Sequence, residues 1–393
     1  MSPAPRSLVR PFRVAALLLA VATVAGMAVL WPGDVQPQLD EGLIAESERA
    51  EVERVEEFRC QTVQGNRCRN VTVRLRSGPD EGRRFVLRLG VGGPDPELDV
   101  GDQVRVAEGI TPPGAPGTTP GISYTLTDFE RRGPMLFLVA VFALLVVVFG
   151  RLRGALSLAG LAASLGIVLV FVVPAILDGT SPLAVALVGS LAIMLVTIAL
   201  AHGTGPKSLA AMLGTAVSLA LTVLLAVAFG ELTHLTGLSS EEAFILQSGN
   251  AGLSLQGLVL AGIVIGALGV LDDVTVSQSS TVLALRRANP ALGFRALSAL
   301  AMRVGRDHVS ATVNTLVLAY VGASLPILLI FSSGELPFFE AVNLELVAKE
   351  IVATLIGSIG LIAAVPITTT LAALLAIREP PERLAAATEA HAH

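Results

Sequence analysis

Eight apolar stretches, each long enough to cross a bilayer as a helix, constrain the fold of this chain more than any other feature. A transmembrane helix needs about 17 to 25 predominantly apolar residues. Only 15% of the 393 residues are charged, against about 25% in a soluble domain. We therefore predict an α-helical polytopic membrane protein with about eight transmembrane helices. The predicted spans are 14–31, 135–150, 155–177, 183–201, 209–230, 253–271, 311–331 and 351–377.

The basic residues indicate how these spans are oriented. Three short loops, 178–182, 231–250 and 332–348, contain no Lys or Arg. The intervening loops and the N-terminus carry the basic residues, as cytoplasmic loops do. We therefore expect a multi-pass protein of the plasma membrane with both termini cytoplasmic. The sorted residues are Arg6, Arg10, Arg13, Arg151, Arg153, Lys207, Arg286, Arg287, Arg295, Arg303, Arg306, Arg378 and Arg383.

The first apolar stretch, preceded by three arginines, also has the form of a signal peptide. Its apolar run is longer than the hydrophobic region of a typical signal, and no clear A-x-A site precedes Gly33. We therefore expect a retained anchor. With or without cleavage, the residues that follow lie outside the cytoplasm.

Residues 34–133 change to a period of two, which is typical of β-strands. Two alternating runs, 71–76 and 84–89, flank the turn sequence 77–82, so they are predicted to form a hairpin. Further strands are predicted around Val104 and Val106, around Ile122, Tyr124 and Leu126, and around Val52 and Val55, with 111–121 as a loop. Short strands with Gly/Pro turns predict a small β-barrel or OB-like extracytoplasmic domain between helices 1 and 2.

The two cysteines of the chain, Cys60 and Cys68, both fall in this domain. An oxidising compartment favours a disulfide between them. A zinc site is not expected, because residues 34–133 contain no histidine to complete the ligand set. We therefore predict a disulfide and no metal site.

An Asp-Asp pair, Asp272 and Asp273, closes the sixth stretch and has a polar run after it. Carboxylates near membrane depth are costly and usually serve a function. We interpret the segment as a broken helix at the cytoplasmic end of the span, with an ion- or substrate-binding site formed by Asp272, Asp273, Thr275, Gln278 and Asn314. The alternative is that both carboxylates lie in cytoplasmic water and pair with the arginines of 286–306. For Asn314 the alternative is a packing contact between helices.

Several function classes are disfavoured by the sequence. No Lys/Arg block indicates nucleic-acid binding, and the segment 202–207 lacks the spacing of a phosphate-binding loop. Adjacent aspartates point about 100° apart on a helix, which does not suit a protease dyad. We therefore expect no enzymatic activity and no cofactor. The predicted domains are 1–33, the N-terminus and anchor; 34–133, the β domain; 134–378, seven helices; and 379–393, a cytoplasmic tail.

The run from Gly266 to Gln278, with its G-x-L-D-D-V-x-x-x-Q core, resembles the YibE/F-like family of bacterial membrane proteins. Arg303–His308 and Asn314–Tyr320 are similar to the family as well, as is the plan of anchor, β domain and helices over most of the chain beyond residue 35. The resemblance implies an integral membrane protein of the bacterial plasma membrane, often regarded as a permease, and supplies neither substrate nor mechanism.

Two functions follow as hypotheses. The first is a secondary transporter whose cation or proton site lies near Asp272 and Asp273. The second is an envelope assembly or sensing protein whose β domain binds a partner. The expected partners are the lipid bilayer, a small solute or ion, and a second copy of the chain or an envelope protein, with no nucleic acid.

Overall fold

The computed structural model describes residues 9–33, 47–59, 67–89, 96–110, 122–239, 243, 245–247, 252–334 and 337–378. The chain divides into two compact units. The sheet domain comprises residues 39–145, and the helical block comprises residues 1–38 and 146–393.

The sheet domain contains a five-stranded antiparallel sheet with the strand order β3-β2-β1-β4-β5. Every predicted strand lies in one of these five, and the predicted hairpin is the β2–β3 pair. Gly78 and Gly82 in its turn have φ of +87° and +85°, values that favour glycine. The strands are β1 Ser47–Arg59, β2 Arg67–Leu75, β3 Arg84–Leu89, β4 Gln103–Ile110 and β5 Ile122–Phe129.

Alternate side chains of these strands form the core of the domain. Val71, Val73 and Leu75 are fully buried, as the period of two predicts. The predicted closed barrel is wrong, because β3 and β5 are the two edges of the sheet and share no hydrogen-bonded ladder in the described residues. Side chains of the two edges still meet: the rings of Phe85 and Tyr124 lie 4.5 Å apart. Alternation predicts which face is buried and carries no information on closure.

The predicted disulfide involves a residue outside the described part of the chain. Cys68 is buried in β2 and is disulfide-bonded. Cys60 lies outside the described residues, as does the predicted loop 111–121. The pairing of Cys60 with Cys68 therefore stays a prediction.

The helical block begins with α1 and continues after the sheet domain. Its core is the antiparallel packing of α5 against α10, with α6 alongside. A Cβ atom at Gly214 of α5 would overlap the hydroxyl of Thr368 in α10, and one at Gly360 of α10 would overlap that of Thr222 in α5. The helices are α1 Val9–Val29, α2 Arg132–Ile167, α3 Val173–Leu177, α4 Pro182–His202, α5 Pro206–Leu232, α6 Leu255–Ala288, α7 Phe294–Ala323, α8 Leu325–Ser333, α9 Phe338–Asn343 and α10 Glu345–Ala376.

Six helical segments in the described residues are long and apolar enough to cross a membrane, or seven if the α7–α8 pair, bent by 62°, counts as one span. One of the six is the 46-residue stretch Arg132–Leu177, which α3 completes after a π-helical turn, Val168–Val172. The backbone of this stretch breaks at Arg151, with φ 52° and ψ −132°, inside a loop predicted between two spans. The number of eight spans stays a prediction.

The predicted break of the helix after residue 271 is wrong. Helix α6 runs without a break from Leu255 to Ala288 and includes both aspartates. The polar run does not interrupt it, because its hydroxyls donate to carbonyl oxygens three or four residues earlier in the same helix. These donors are Thr275, Ser277, Ser279, Ser280 and Thr281.

Candidate functional site

Asp272 lies near the middle of α6. The helix has 34 residues, and Asp272 is about 25 Å from each end at 1.5 Å per residue. A neighbouring residue is also inside its helix. Thr215, which bonds to Thr275 one turn from Asp272, is about 12 Å along α5 from Lys207. The expectation of a broken helix is therefore wrong, and the carboxylate lies within a continuous helix.

The Asp272 carboxylate has one hydrogen-bonding side chain near it. Thr197 of α4 places its hydroxyl 3.3 Å from Asp272 Oδ2. The other oxygen, Oδ1, is buried and has no partner among the described residues. No cation therefore balances this carboxylate in the described part of the helical block, and burial without a counter-charge disfavours its ionised form.

The Thr197 hydroxyl has a choice of acceptors. Its Oγ1 lies 2.9 Å from Ile193 O and 3.1 Å from Met194 O, both in its own helix. A hydroxyl has one proton to donate and two lone pairs to accept with. When Thr197 donates to its own helix, its oxygen can accept a hydrogen bond from a protonated Asp272 carboxyl group. This pair therefore suits a neutral carboxyl group.

Thr275 extends the polar contacts from α6 to α5. Its buried Oγ1 lies 2.6 Å from Thr215 Oγ1 and 3.1 Å from the carbonyl oxygen of Asp272. The hydroxyls of Thr197 and Thr215 therefore flank the Asp272 turn of α6 from two different helices.

Asp273 faces away from this site. Successive residues are rotated by about 100° around a helix, and the Asp273 side chain is exposed where Asp272 is half-buried. Exposed small residues continue the same face of α6, at Gly262, Gly266 and Gly269. The two carboxylates are adjacent in the sequence but lie in different environments.

Gln278 ties three helices together. Its Nε2 donates to Ala301 O in α7 at 3.0 Å and to Thr369 Oγ1 in α10 at 2.6 Å. A Cβ at Gly305 of α7 would lie 2.5 Å from Val365 Cγ1 and 3.0 Å from Gln278 Oε1, so glycine is needed for this close packing. The amide is thus engaged in helix packing two turns from Asp272.

Asn314 is exposed on α7, and no hydrogen bond of its side chain is found among the described residues. Of the five predicted site residues, the structure therefore groups Asp272 with Thr275, gives Gln278 to helix packing and leaves Asp273 and Asn314 exposed. Sequence reasoning missed Thr197 and Thr215. Their only signal was a hydroxyl in the middle of an apolar span, which is also the form of a packing residue.

Comparison with known proteins gives one match. Residues 138–378 match the model of the YibE/F-like protein family. The match begins after the sheet, so the resemblance expected from about residue 35 onward is found only over the helices. No curated protein and no solved structure matches the chain. Because the match covers more than half of the sequence, the chain belongs to the YibE/F-like protein family.

Proposed function

We propose that this membrane protein is a secondary transporter in which Asp272 takes up and releases a proton as the helices rearrange. The observation that carries the proposal is the Asp272 carboxyl group. It lies midway along α6, and its Oδ1 is buried without a hydrogen-bond partner. Ionisable side chains inside transmembrane helices mark ion and proton pathways.

Uptake of a proton would change which surroundings are favourable for the Asp272 side chain. The neutral acid fits the site, because it can donate to Thr197 while Thr197 donates to its own helix. The ionised form calls for water or an opposite charge. A conformation that opens the site would favour the ionised form, and this difference couples proton binding to rearrangement.

A proton suits the site better than a divalent cation. Divalent ions take six or more oxygen ligands, and Asp273 faces away from Asp272. The described residues include no group of three or more His, Cys, Asp or Glu side chains that could hold a metal ion. The polar atoms beside Asp272 are single hydroxyls, which serve a carboxyl proton.

Buried hydroxyls elsewhere in the helical block support a polar route. Five of them have no hydrogen-bond partner among the described residues, and such groups call for water or a ligand. Ser218 is in α5, one turn from Thr215. The five are Ser190, Ser218, Ser298, Ser358 and Thr368.

The test uses the full-length protein with Asp272→Asn, and Asp273→Asn as the matched control. Infrared difference spectra between acidic and alkaline pH should contain a carboxylic-acid band that Asp272→Asn removes and Asp273→Asn retains. In proteoliposomes, solutes that drive proton movement through the wild-type protein should fail to do so through Asp272→Asn. A band that survives in Asp272→Asn, or unchanged solute-driven proton movement, would refute the assignment.

A second function, partner binding by the sheet domain, has one observation in its favour. The strands β3 and β5 have no hydrogen-bonded neighbour on one side in the described residues. An exposed sheet edge can accept a strand from another protein.

A further inference from the structure

Two exposed residues of opposite charge flank the contact between α6 and α7. Val274 of α6 belongs to a buried cluster against which Met302 and Val309 of α7 pack. Asp273 directly precedes Val274, and its side chain is exposed. Arg306 lies four residues after Met302 and three before Val309, so it is on the same side of α7 as they are, and it is exposed as well.

These two charges lie within the helical block and lack a counter-charge there. Helix α6 is long and apolar enough to cross a membrane, and Asp273 lies near its middle. Arg306 is about 5 Å along α7 from the Val309 contact at 1.5 Å per residue. Neither side chain forms an ion pair with a described residue. Charged side chains in membrane segments seldom face lipid and usually pair with one another.

The same side of α7 carries further polar groups. Ser310 and Asn314 follow Arg306 at intervals of four residues, and both are exposed. Hydroxyl and amide side chains of membrane helices form hydrogen bonds to neighbouring helices. This surface of α7 is therefore suited to contact another protein helix and not lipid chains.

The adjoining surface of α6 allows a second helix to come close. Gly262, Gly266 and Gly269 are exposed and share one side of α6 with Asp273, by their spacing of three or four residues. A Cβ atom at Gly262 or Gly269 would meet nothing within 4 Å. Small residues on a membrane helix let the backbone of a neighbouring helix approach.

We propose that two copies of this chain associate through α6 and α7, with Asp273 of each copy paired with Arg306 of the other. A two-fold axis along the membrane normal keeps both residues at the same depth in the two copies, so the ion pair forms twice. The surface carries one charge of each sign and is complementary to itself, whereas a lipid head group of one charge would satisfy only one of the two residues. The proposal is independent of transport.

The test counts dimers of the fluorophore-labelled full-length protein in liposomes by single-molecule photobleaching at several protein densities. Asp273→Arg and Arg306→Asp each place like charges at both contacts, and each should weaken association on the order of 100-fold. The double variant Asp273→Arg/Arg306→Asp restores opposite charges and should associate as the wild type does. Arg295→Asp is the matched control and should also associate normally, because this exposed arginine of α7 is about 16 Å along the helix from Arg306.

An equal mixture of the two single variants separates a contact between copies from a contact within one chain. In a mixed dimer, Arg at position 273 of one copy meets Asp at position 306 of the other, and the native Asp273 and Arg306 form the second pair. Two-colour labelling should therefore show mixed dimers although neither variant dimerises alone. An ion pair within one chain gives no such recovery, so the absence of mixed dimers would overturn the proposal.

A steric variant tests the same surface without changing its charge. Gly269→Leu adds a side chain at a position that is open in the single chain, so it should fold and associate more weakly. Gly322→Leu is its control: this glycine is equally open and is rotated by about 160° from Arg306 around α7, so association should not change. A monomeric wild type, or normal association of Gly269→Leu, would rule out the interface.

Discussion

At the scale of single residues, the amide of Gln278 holds α6, α7 and α10 together through two donated hydrogen bonds. Gln278→Ala removes both bonds and leaves a buried gap. We expect it to destabilise the protein by about 1–3 kcal/mol without removing the infrared band that is expected from Asp272. Thermal unfolding in detergent and the pH-difference spectrum measure the two effects.

Ser280→Ala is the matched control for Gln278→Ala. Its hydroxyl donates to Val276 O of its own helix, so its loss breaks no contact between helices and should change the unfolding temperature little. A stable Gln278→Ala variant that lost the Asp272 band would instead make Gln278 part of the proton site.

The rotation of Asp272 and Asp273 by about 100° follows from helix geometry and was predictable from the sequence. The partners of Asp272 were not. Thr197 and Thr215 lie in separate spans, and which face each span turns toward α6 depends on helix packing. Small apolar residues surround both hydroxyls in the sequence, so no amphipathic pattern indicates that rotation.

At the scale of elements, alternating side chains predicted β2, β3, β4 and β5, because one face of the sheet is buried and the other is exposed. Strand β1 was expected only from Val52 and Val55, which do not alternate. The predicted helix that ends at residue 271 is shorter than α6, because a polar run after an apolar stretch is also typical of a helix end. Serine and threonine hydroxyls can donate to carbonyl oxygens of their own helix, so such a run ends a helix only when a proline or a solvated turn follows. In this chain that point is Asn289–Pro290.

The sheet domain should lose stability in acid. A hydrogen bond from Arg84 lowers the pKa of Glu53, one from Arg131 lowers the pKa of Asp128, and the backbone N–H of Arg132 lowers that of Glu130. A lowered pKa gives stability that is present above the ordinary value and lost as pH falls through the folded one. We expect protection of the strands from hydrogen exchange to fall below the ordinary values, 4.5 for Glu and 3.8 for Asp.

Two arginines of β3 give this prediction its comparison. Arg84 Nε lies 2.6 Å from Glu53 Oε2, whereas Arg88 on the same strand has no described hydrogen bond. Arg84→Gln should weaken the pH dependence of protection, and Arg88→Gln should leave it intact. The opposing contribution comes from Glu48, whose pKa is raised by burial and then by the Asp80 and Glu108 carboxylates. A net gain of protection in acid would mean that Glu48 dominates.

At the scale of the whole molecule, the family match lies in the helices and leaves out the five-stranded sheet. We expect the transport function to reside in the helical block. Replacing residues 34–131 with a flexible Gly/Ser linker should leave membrane insertion intact and restore growth of a strain lacking the protein, under whatever condition reveals its loss. Asp272→Asn in the full chain should fail to do so.

The same pair of variants tests the alternative function. If the linker variant inserts but fails to restore growth, while Asp272→Asn succeeds, then partner binding by the sheet domain is the essential activity. The plan of anchor, sheet and helices was predictable from charge sorting and from the change of period at residue 34. The number of spans stays a prediction: the two spans expected on either side of Arg151 lie in one 46-residue helical stretch that breaks there, and the 62° bend between α7 and α8 leaves no gap in the apolar pattern.

The length of α6 exceeds the thickness of the hydrocarbon core of a bilayer. Its 34 residues extend about 51 Å at 1.5 Å per residue, whereas the hydrocarbon core of a bilayer is about 30 Å thick. A helix with this mismatch tilts or protrudes, and a thinner bilayer leaves less hydrocarbon between the middle of the helix and each aqueous side. On the proposed function, acyl-chain length therefore sets the distance that a proton travels between Asp272 and either aqueous side.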